Sequence, residues 1–405
     1  MAEATLGRRR AVATPFSGVE LREWVVAHAD VVILGGLIAV AAALRFYDLG
    51  ARALHHDESL HATFSWYFYN GQGYKHDPLM HGPFQFHIDA ATFFLFGDSN
   101  YTARVPHALF GTALVALPWL LRKQIGVKAA LIAAAFFAFS PTLLYYSRFD
   151  REDAFDMFWT TAMVVCMWRY LDAKREEQLD RFSGVAKAAG LFATPEVWLY
   201  GLAAVTAFSY ATKETTFIEM AVMLVFIDIL IAIDLGKRRE GEEVDGFAVL
   251  MRTLAYVPIA WAAAALWPLL GAKPFGRERM PAAGDLMVVL GTLSLPQFSA
   301  AVQALPFVGN KGYFALSTVT GPTPEDNLRI TTVMVLIIVS IYIGLLWKPK
   351  TWGICAAFFY VPYILLFTTF FTNQPLPWTA EFWRGHGGFF SGIWGSLDYW
   401  LDQQG

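Results

Sequence analysis

The feature that most constrains this chain is a series of nine apolar stretches, each close to the length that crosses a lipid bilayer. A hydrocarbon core about 30 Å thick takes roughly 20 residues of α-helix. Stretches at 24–44, 103–121, 128–146, 154–171, 196–212, 215–235, 248–270, 329–347 and 352–371 meet or approach that length. In lipid every backbone N–H and C=O must be satisfied within the segment, so these stretches are predicted as helices. The fifth is short and the second contains Pro118, which leaves their ends soft. Composition agrees, since 56% of the 405 residues are hydrophobic and 16% charged, against about 25% charged in soluble domains. The expected class is an all-α, polytopic membrane protein with about nine transmembrane helices. A net charge of −3 and the lack of a basic tract give no reason to expect a nucleic-acid partner. Cys166 and Cys355 both fall inside apolar runs, as packing residues do, and imply no disulfide framework.

Positive charge orients the spans. Alternating them from a cytoplasmic N-terminus gathers Arg8–Arg10, Arg122/Lys123, Lys174/Arg175, Lys237–Arg239 and Lys348/Lys350 on one side, the cytoplasmic one by the positive-inside rule. The chain then divides into a cytoplasmic tail at 1–23, a transmembrane domain at 24–371 and an outer segment at 372–405. Outer loops are expected at about 47–100 and 272–328. The last segment is rich in Trp and Gly and reads as a lead into further helices, so the chain is expected to continue. Two amphipathic stretches in the first loop, roughly 57–70 and 82–96, are expected to lie along the membrane surface.

Chemistry-bearing residues crowd the same side. Six of the nine histidines fall between His55 and His87, among them His55, His56, His76 and His81, with Asp77 between. Solvated loops carry such groups without a function. Asp57 and Glu58, however, open a helix directly after a span, where partial desolvation can raise a carboxyl pKa and make a general base. A second cluster, SRFDREDAFDMF, holds Arg148, Asp150, Arg151, Glu152, Asp153 and Asp156. Asp153 and Asp156 share a face at helical spacing. Asp156 falls inside a span, so a partner is expected for it, whether Arg151, Lys213 or a metal. A third cluster, Lys213-Glu214, follows the fifth span. Guanidinium and ammonium groups at the lipid–water boundary suit a lipid-linked phosphate, although a salt bridge or a snorkelling lysine would read the same. The histidines and carboxylates supply donors enough for a divalent metal, but in no fixed ligand spacing. A Walker loop, a GxSxG and an HExxH are all missing.

At these residues the sequence resembles the lipid-linked-sugar glycosyltransferases of the membrane-embedded GT-C fold, the superfamily of protein O-mannosyltransferases and aminoarabinose transferases. It is most similar to the prokaryotic flippase-activity-associated branch. The resemblance rests on Asp57-Glu58 after the first span, an aromatic helix, Gly71-x-Gly73-Tyr74 leading to a His/Asp/Pro loop ending at Pro83, Ser147-Arg148-x4-Asp153, and Thr212-Lys213-Glu214. It covers about 30–220 well and the remainder only through helix count. It implies a GT-C-like fold and inverting transfer of a sugar, hexosyl or pentosyl, from a polyprenyl-phosphate donor to an acceptor (protein, lipid or glycan) at the outer face. Asp57, with Glu58 beside it, would be the catalytic carboxylate, and Arg148, Arg151 and Lys213 would bind the donor phosphate. His55, His56, His76, Asp77, His81, Asp153 and Asp156 would support the site or hold a metal. One departure is that His76-Asp77-Pro78 and His81-Gly82-Pro83 replace the compact Asp-x-His-Pro-Pro loop of the O-mannosyltransferases, so nothing about the acceptor carries over. A flippase for lipid-linked sugars would use the same cations without a base, and a non-catalytic subunit of an envelope glycan assembly complex would look alike in sequence.

Overall fold

A computed structural model describes residues 18–72, 81–178, 194–237, 246–270, 279–299 and 324–370. Among the described residues the regular structure is helical throughout. The helices are α1 (Gly18–Ala27), α2 (Ala29–Phe46), α3 (His56–Tyr69), α4 (Phe84–Phe96), α5 (Asn100–Leu114), α6 (Arg122–Ile125), α7 (Val127–Phe139) and α8 (Pro141–Tyr146). They continue with α9 (Asp153–Gln178), α10 (Glu196–Tyr210), α11 (Thr215–Gly236), α12 (Gly246–Tyr256), α13 (Ala260–Leu266), α14 (Ala282–Ser294), α15 (Pro324–Trp347) and α16 (Pro349–Phe367).

Each of the nine expected spans has a helical counterpart, but several are broken. Among the described residues four segments are long and apolar enough to cross a bilayer unaided: Ala29–Phe46, Asn100–Ile125, Thr215–Gly236 and Pro349–Phe367. The expected span 248–270 is α12 and α13 with a 68° bend between them. The expected span 128–146 breaks at Ser140, where Pro141 begins α8 and the Ser140 hydroxyl accepts the Leu143 N–H. Proline has no N–H to give the preceding turn, and its ring excludes the carbonyl four residues back, so one helix stops and another starts.

The expected outer loop 272–328 needs correction. Its middle is α14, an apolar helix buried in the main core rather than lying over it. Asp285 accepts from Trp347 Nε1 at 2.8 Å and lies 3.3 Å from Lys348 Nζ. Further along, Trp352 donates to Thr292 and Tyr363 to Gln297. Helix α14 thus runs alongside α16 from the Lys348 level to the Tyr363 level. The turn-like Gly and Pro content of 272–328 masked an apolar run that buries Leu286, Val289, Leu290 and Leu293.

The main core joins Met163 and Tyr170 of α9, Leu202 and Ala203 of α10, Ile227 of α11, Leu290 of α14 and Phe359 of α16. A smaller contact packs Ala134 and Ala138 of α7 against Leu34 and Ala41 of α2. Alanines four apart put a flat stripe on one helix face, which lets two backbones approach closely. Large apolar side chains such as Phe136, Val222 and Ile338 point outward, as a lipid-facing surface requires.

The helices α3 and α4 fall close to the two amphipathic stretches of the first loop. Their polarity is the reverse of a helix floating polar side up. Gln85 and Asp89 of α4 are buried against the bundle, while Phe94, Leu95 and Phe96 are 67–77% exposed. The outer segment 372–405 and the tail 1–17 lie outside the described residues.

Candidate active site

The carboxylate pair at the start of α3 splits into two environments. His55 caps the helix, its side chain accepting the Asp57 N–H at 3.2 Å, while the Glu58 carboxylate accepts the His55 N–H at 2.8 Å. That reciprocal capping box turns Glu58 inward. There it meets Arg104 of α5 in a two-pronged pair at 2.7 and 2.9 Å, Arg52 at 3.2 Å and the Asp150 N–H at 3.1 Å. Burial alone would raise the Glu58 pKa, but the Arg104 pair and the two backbone N–H groups outweigh it and hold it below the usual range. Arg104 also donates to the carbonyls of Leu49, Arg52 and Ala53. The pair therefore fixes the connection into α3. Asp57, one residue earlier, faces the other way: its side chain is 42% exposed, with Arg151 Nη1 at 3.4 Å and His55 Nδ1 at 3.8 Å.

The loop from Ser147 to Glu152 supplies the second wall. Asp150 and Glu152 are buried while Arg151 between them faces the rim. Glu152 is the hub. It lies 3.2 Å from Lys213, 3.3 Å from Arg151, 3.4 Å from His81 and 3.7 Å from His61. Burial would raise its pKa, yet His81, Lys213 and His61 together bring it down to about 2. His81 also meets Glu214 at 2.9 Å. Burial would lower the His81 pKa, and the Glu214 and Glu152 carboxylates outweigh that and raise it.

Backbone geometry delivers His81 to this hub. Its φ of +63° lies in the left-handed region. The next residue, Gly82, packs so closely that a Cβ there would stand 2.2 Å from the Ala211 carbonyl oxygen. The Gly82 N–H bonds the Thr212 carbonyl at 3.0 Å and the Phe84 N–H the Ala211 carbonyl at 2.7 Å. The strand of chain before α4 is thus stitched to the end of α10, just where Lys213 and Glu214 follow.

Among the residues singled out from sequence, Asp57, Arg151, Asp153, Lys213 and His81 come together at one end of the bundle. Lys213 is 2.7 Å from Asp153, and Arg151 is 3.8 Å from it. Arg148 does not join them. Its guanidinium donates to the carbonyls of Leu44 at 2.7 Å and Asp48 at 3.4 Å, closing the end of α2. Asp156 accepts the Thr215 hydroxyl at 3.1 and 3.2 Å, and Lys213, one of its expected partners, is near enough to act on it electrostatically. His55 is the helix cap, and His56 is exposed beside it. His76 and Asp77 lie outside the described residues. Arg104 and His107 were not named from the sequence, Asp89 only as part of the first loop, and Asp150 and Glu152 only as members of the second cluster. Arg104 and His107 carried a signal, because ionisable side chains in an apolar span face a partner. Glu152 carried none beyond its place in a charged run.

Residues 80–235, less than half of the chain, match the dolichyl-phosphate-mannose-protein mannosyltransferase family. That match bears out the superfamily resemblance and takes in Arg151, Glu152, Lys213 and Glu214, while Asp57 precedes it. No curated protein matches. Two solved structures from Archaeoglobus fulgidus resemble the chain loosely. One is the oligosaccharyltransferase in the apo form, at 15% identity and a TM-score of 0.44, covering 94% of this chain and 51% of that one. The other is the archaeal oligosaccharyltransferase AglB in complex with an inhibitory peptide and a dolichol-phosphate, at 13% identity and 0.46, covering 93% and 51%. The chain thus spans about half the length of those proteins.

Proposed function

We propose that this protein is an inverting membrane glycosyltransferase that moves a sugar from a polyprenyl-phosphate carrier to an acceptor hydroxyl on the non-cytoplasmic face. The observation that carries the reading is the division of labour at the start of α3. Glu58 is saturated by five donors, whereas Asp57 keeps a half-exposed carboxylate beside a cation rim. The segment that builds that rim matches a family named for mannosyl transfer from a lipid phosphate.

In this mechanism Asp57 takes the acceptor hydroxyl proton as the oxygen attacks the anomeric carbon. The bond from that carbon to the phosphate oxygen breaks with its electron pair, and the phosphate leaves as an anion. A single displacement inverts the centre. The leaving group needs charge stabilisation more than a proton, which Arg151 and Lys213 supply. Both are engaged by carboxylates at rest, but Arg151 is 34% exposed and reachable. A donor phosphate that draws Arg151 away from Asp57 also frees the Asp57 oxygen to accept a proton. Beside α4, a cavity of about 460 Å³ lined by Phe68, Tyr69, Phe84, Ile88, Phe94 and Leu366 suits an apolar isoprenoid chain.

The test is transfer of label from a radiolabelled polyprenyl-phosphate sugar, by protein in proteoliposomes supplied with native membranes as acceptor. Asp57→Asn should cut turnover about 10²–10⁴-fold, the usual contribution of a general base, with donor binding kept. Lys213→Ala should weaken donor binding as well as rate. Transfer by Asp57→Asn at the wild-type rate would sink the mechanism. Wild-type protein that transfers nothing yet carries labelled lipid across the bilayer would make it a flippase.

A further inference from the structure

Beneath the rim lies a second cluster that the transfer mechanism does not use. Asp89 of α4, His107 of α5 and Asp150 of the Ser147–Glu152 loop meet with all three side chains fully buried. One ligand atom from each lies within 4.8 Å of the others. Asp89 faces Asp150 and Gln85, yet neither of its oxygens has a donor at hydrogen-bond length. Asp150 Oδ2 and His107 Nε2 are in the same position, and so is Gln85 Oε1, one helical turn before Asp89. The contacts include Gln85 Nε2 donating to Asp150 Oδ1 at 2.7 Å and His107 Nε2 at 3.7 Å from that same oxygen, with the Asp89 and Asp150 carboxyls facing each other. Arg104, which acts on Asp150 electrostatically, has its hydrogen bonds committed to Glu58 and backbone carbonyls.

Two carboxylates buried side by side carry an electrostatic cost that a hydrogen bond from one glutamine does not remove. A divalent cation removes it by matching their charge. The His107–Asp150 spacing also fits, within a set whose ligand atoms lie up to 4.8 Å apart. Ligand atoms about 2.0–2.2 Å from a central ion sit about 3.4 Å apart, so 3.7 Å is long for a hydrogen bond and near an edge of a coordination shell. We propose that Asp89, His107 and Asp150 bind a divalent cation that ties α4 and α5 to the loop before α9. One imidazole nitrogen with two carboxylate oxygens favours zinc or manganese, and Gln85 Oε1 offers a fourth, neutral donor. The ion would hold Asp150, whose N–H bonds Glu58 and whose neighbour is Arg151. It is a positioning centre and does not depend on the transferase reading.

The test needs no substrate. Full-length protein in detergent is stripped with chelator, loaded separately with Zn²⁺ or Mn²⁺, desalted, and its metal content and melting temperature are measured. About one ion per chain should be retained, with a melting temperature that falls on chelation and recovers on reloading, because binding energy is also folding energy. Asp89→Asn and His107→Gln should hold the ion at least about tenfold more weakly, while His55→Ala with His56→Ala should hold it as the wild type does. Should the buried variants fail to fold, the wild-type chelation cycle and the His55/His56 double variant still decide. No retained ion in the wild type, or an ion lost only with the first-loop histidines, overturns the proposal. In the former case the two carboxyls share a proton instead.

Discussion

At the scale of single residues, adjacent carboxylates serve opposite ends. Glu58 is a structural anchor and Asp57 a surface group, because a helix start points consecutive side chains about 100° apart. Removing the Glu58 charge strands Arg104 in the interior, which for buried pairs costs about 3–5 kcal/mol. Glu58→Gln should therefore lower the melting temperature sharply, whereas Asp57→Asn, at an exposed pair, should change stability by less than about 1 kcal/mol. Equal melting temperatures for the two variants would contradict the division. His81 gives a pH signature. Its folded pKa is raised above 6.5 by Glu214 and Glu152, so its stabilisation is complete below the unfolded value and is lost as pH rises through the folded one. The melting-temperature advantage of wild type over His81→Gln should shrink from about pH 5.5 to 8.5. An advantage that grows with pH would reverse the assignment.

At the scale of elements, loops and helix ends make the site. The close approach of Gly82 to Ala211 is a backbone contact with no flexible side chain to yield. Gly82→Ala should destabilise by about 1–3 kcal/mol and loosen His81 from Glu214. A protein whose melting temperature and His81 pH signature are both untouched would show that the stitch between α4 and α10 carries no load. Helix α4 shows how polarity can be legible and its direction not. Its sequence has a polar face and an apolar end, and either could have met water. Gln85 turns inward where the bundle offers it Asp150, Asp89 one turn later is buried with it, and Phe94–Phe96 turn outward. The expected span 128–146 ran through Pro141, where α8 starts, and the burial of α14 was hidden by flanking Gly and Pro.

At the scale of the whole molecule, the side assignment is open to direct measurement. Cys166 and Cys355 are both buried, so introduced cysteines can be read on the native background. Asn70→Cys and Asn100→Cys should react from the non-cytoplasmic side. Arg279→Cys, exposed just before α14, should react from the opposite side, since α14 begins at the level of Lys348. Labelling of Arg279→Cys and Asn70→Cys from one side would return α14 to the outer loop. By itself the sequence determined the helical class, the approximate places of the apolar helices other than α14, the two first-loop helices and the gathering of Asp57, Arg151, Asp153 and Lys213. Those follow from apolar length, from proline chemistry and from charges confined to span ends, all properties of the local chain. Only the tertiary structure decided that Glu152 is the hub, that Arg148 closes α2, that Glu58 belongs to Arg104, and that Asp89, His107 and Asp150 meet. Such partnerships join residues 18 to 104 positions apart, across helices whose rotation is fixed by packing, and nothing in a single chain's local pattern specifies rotation.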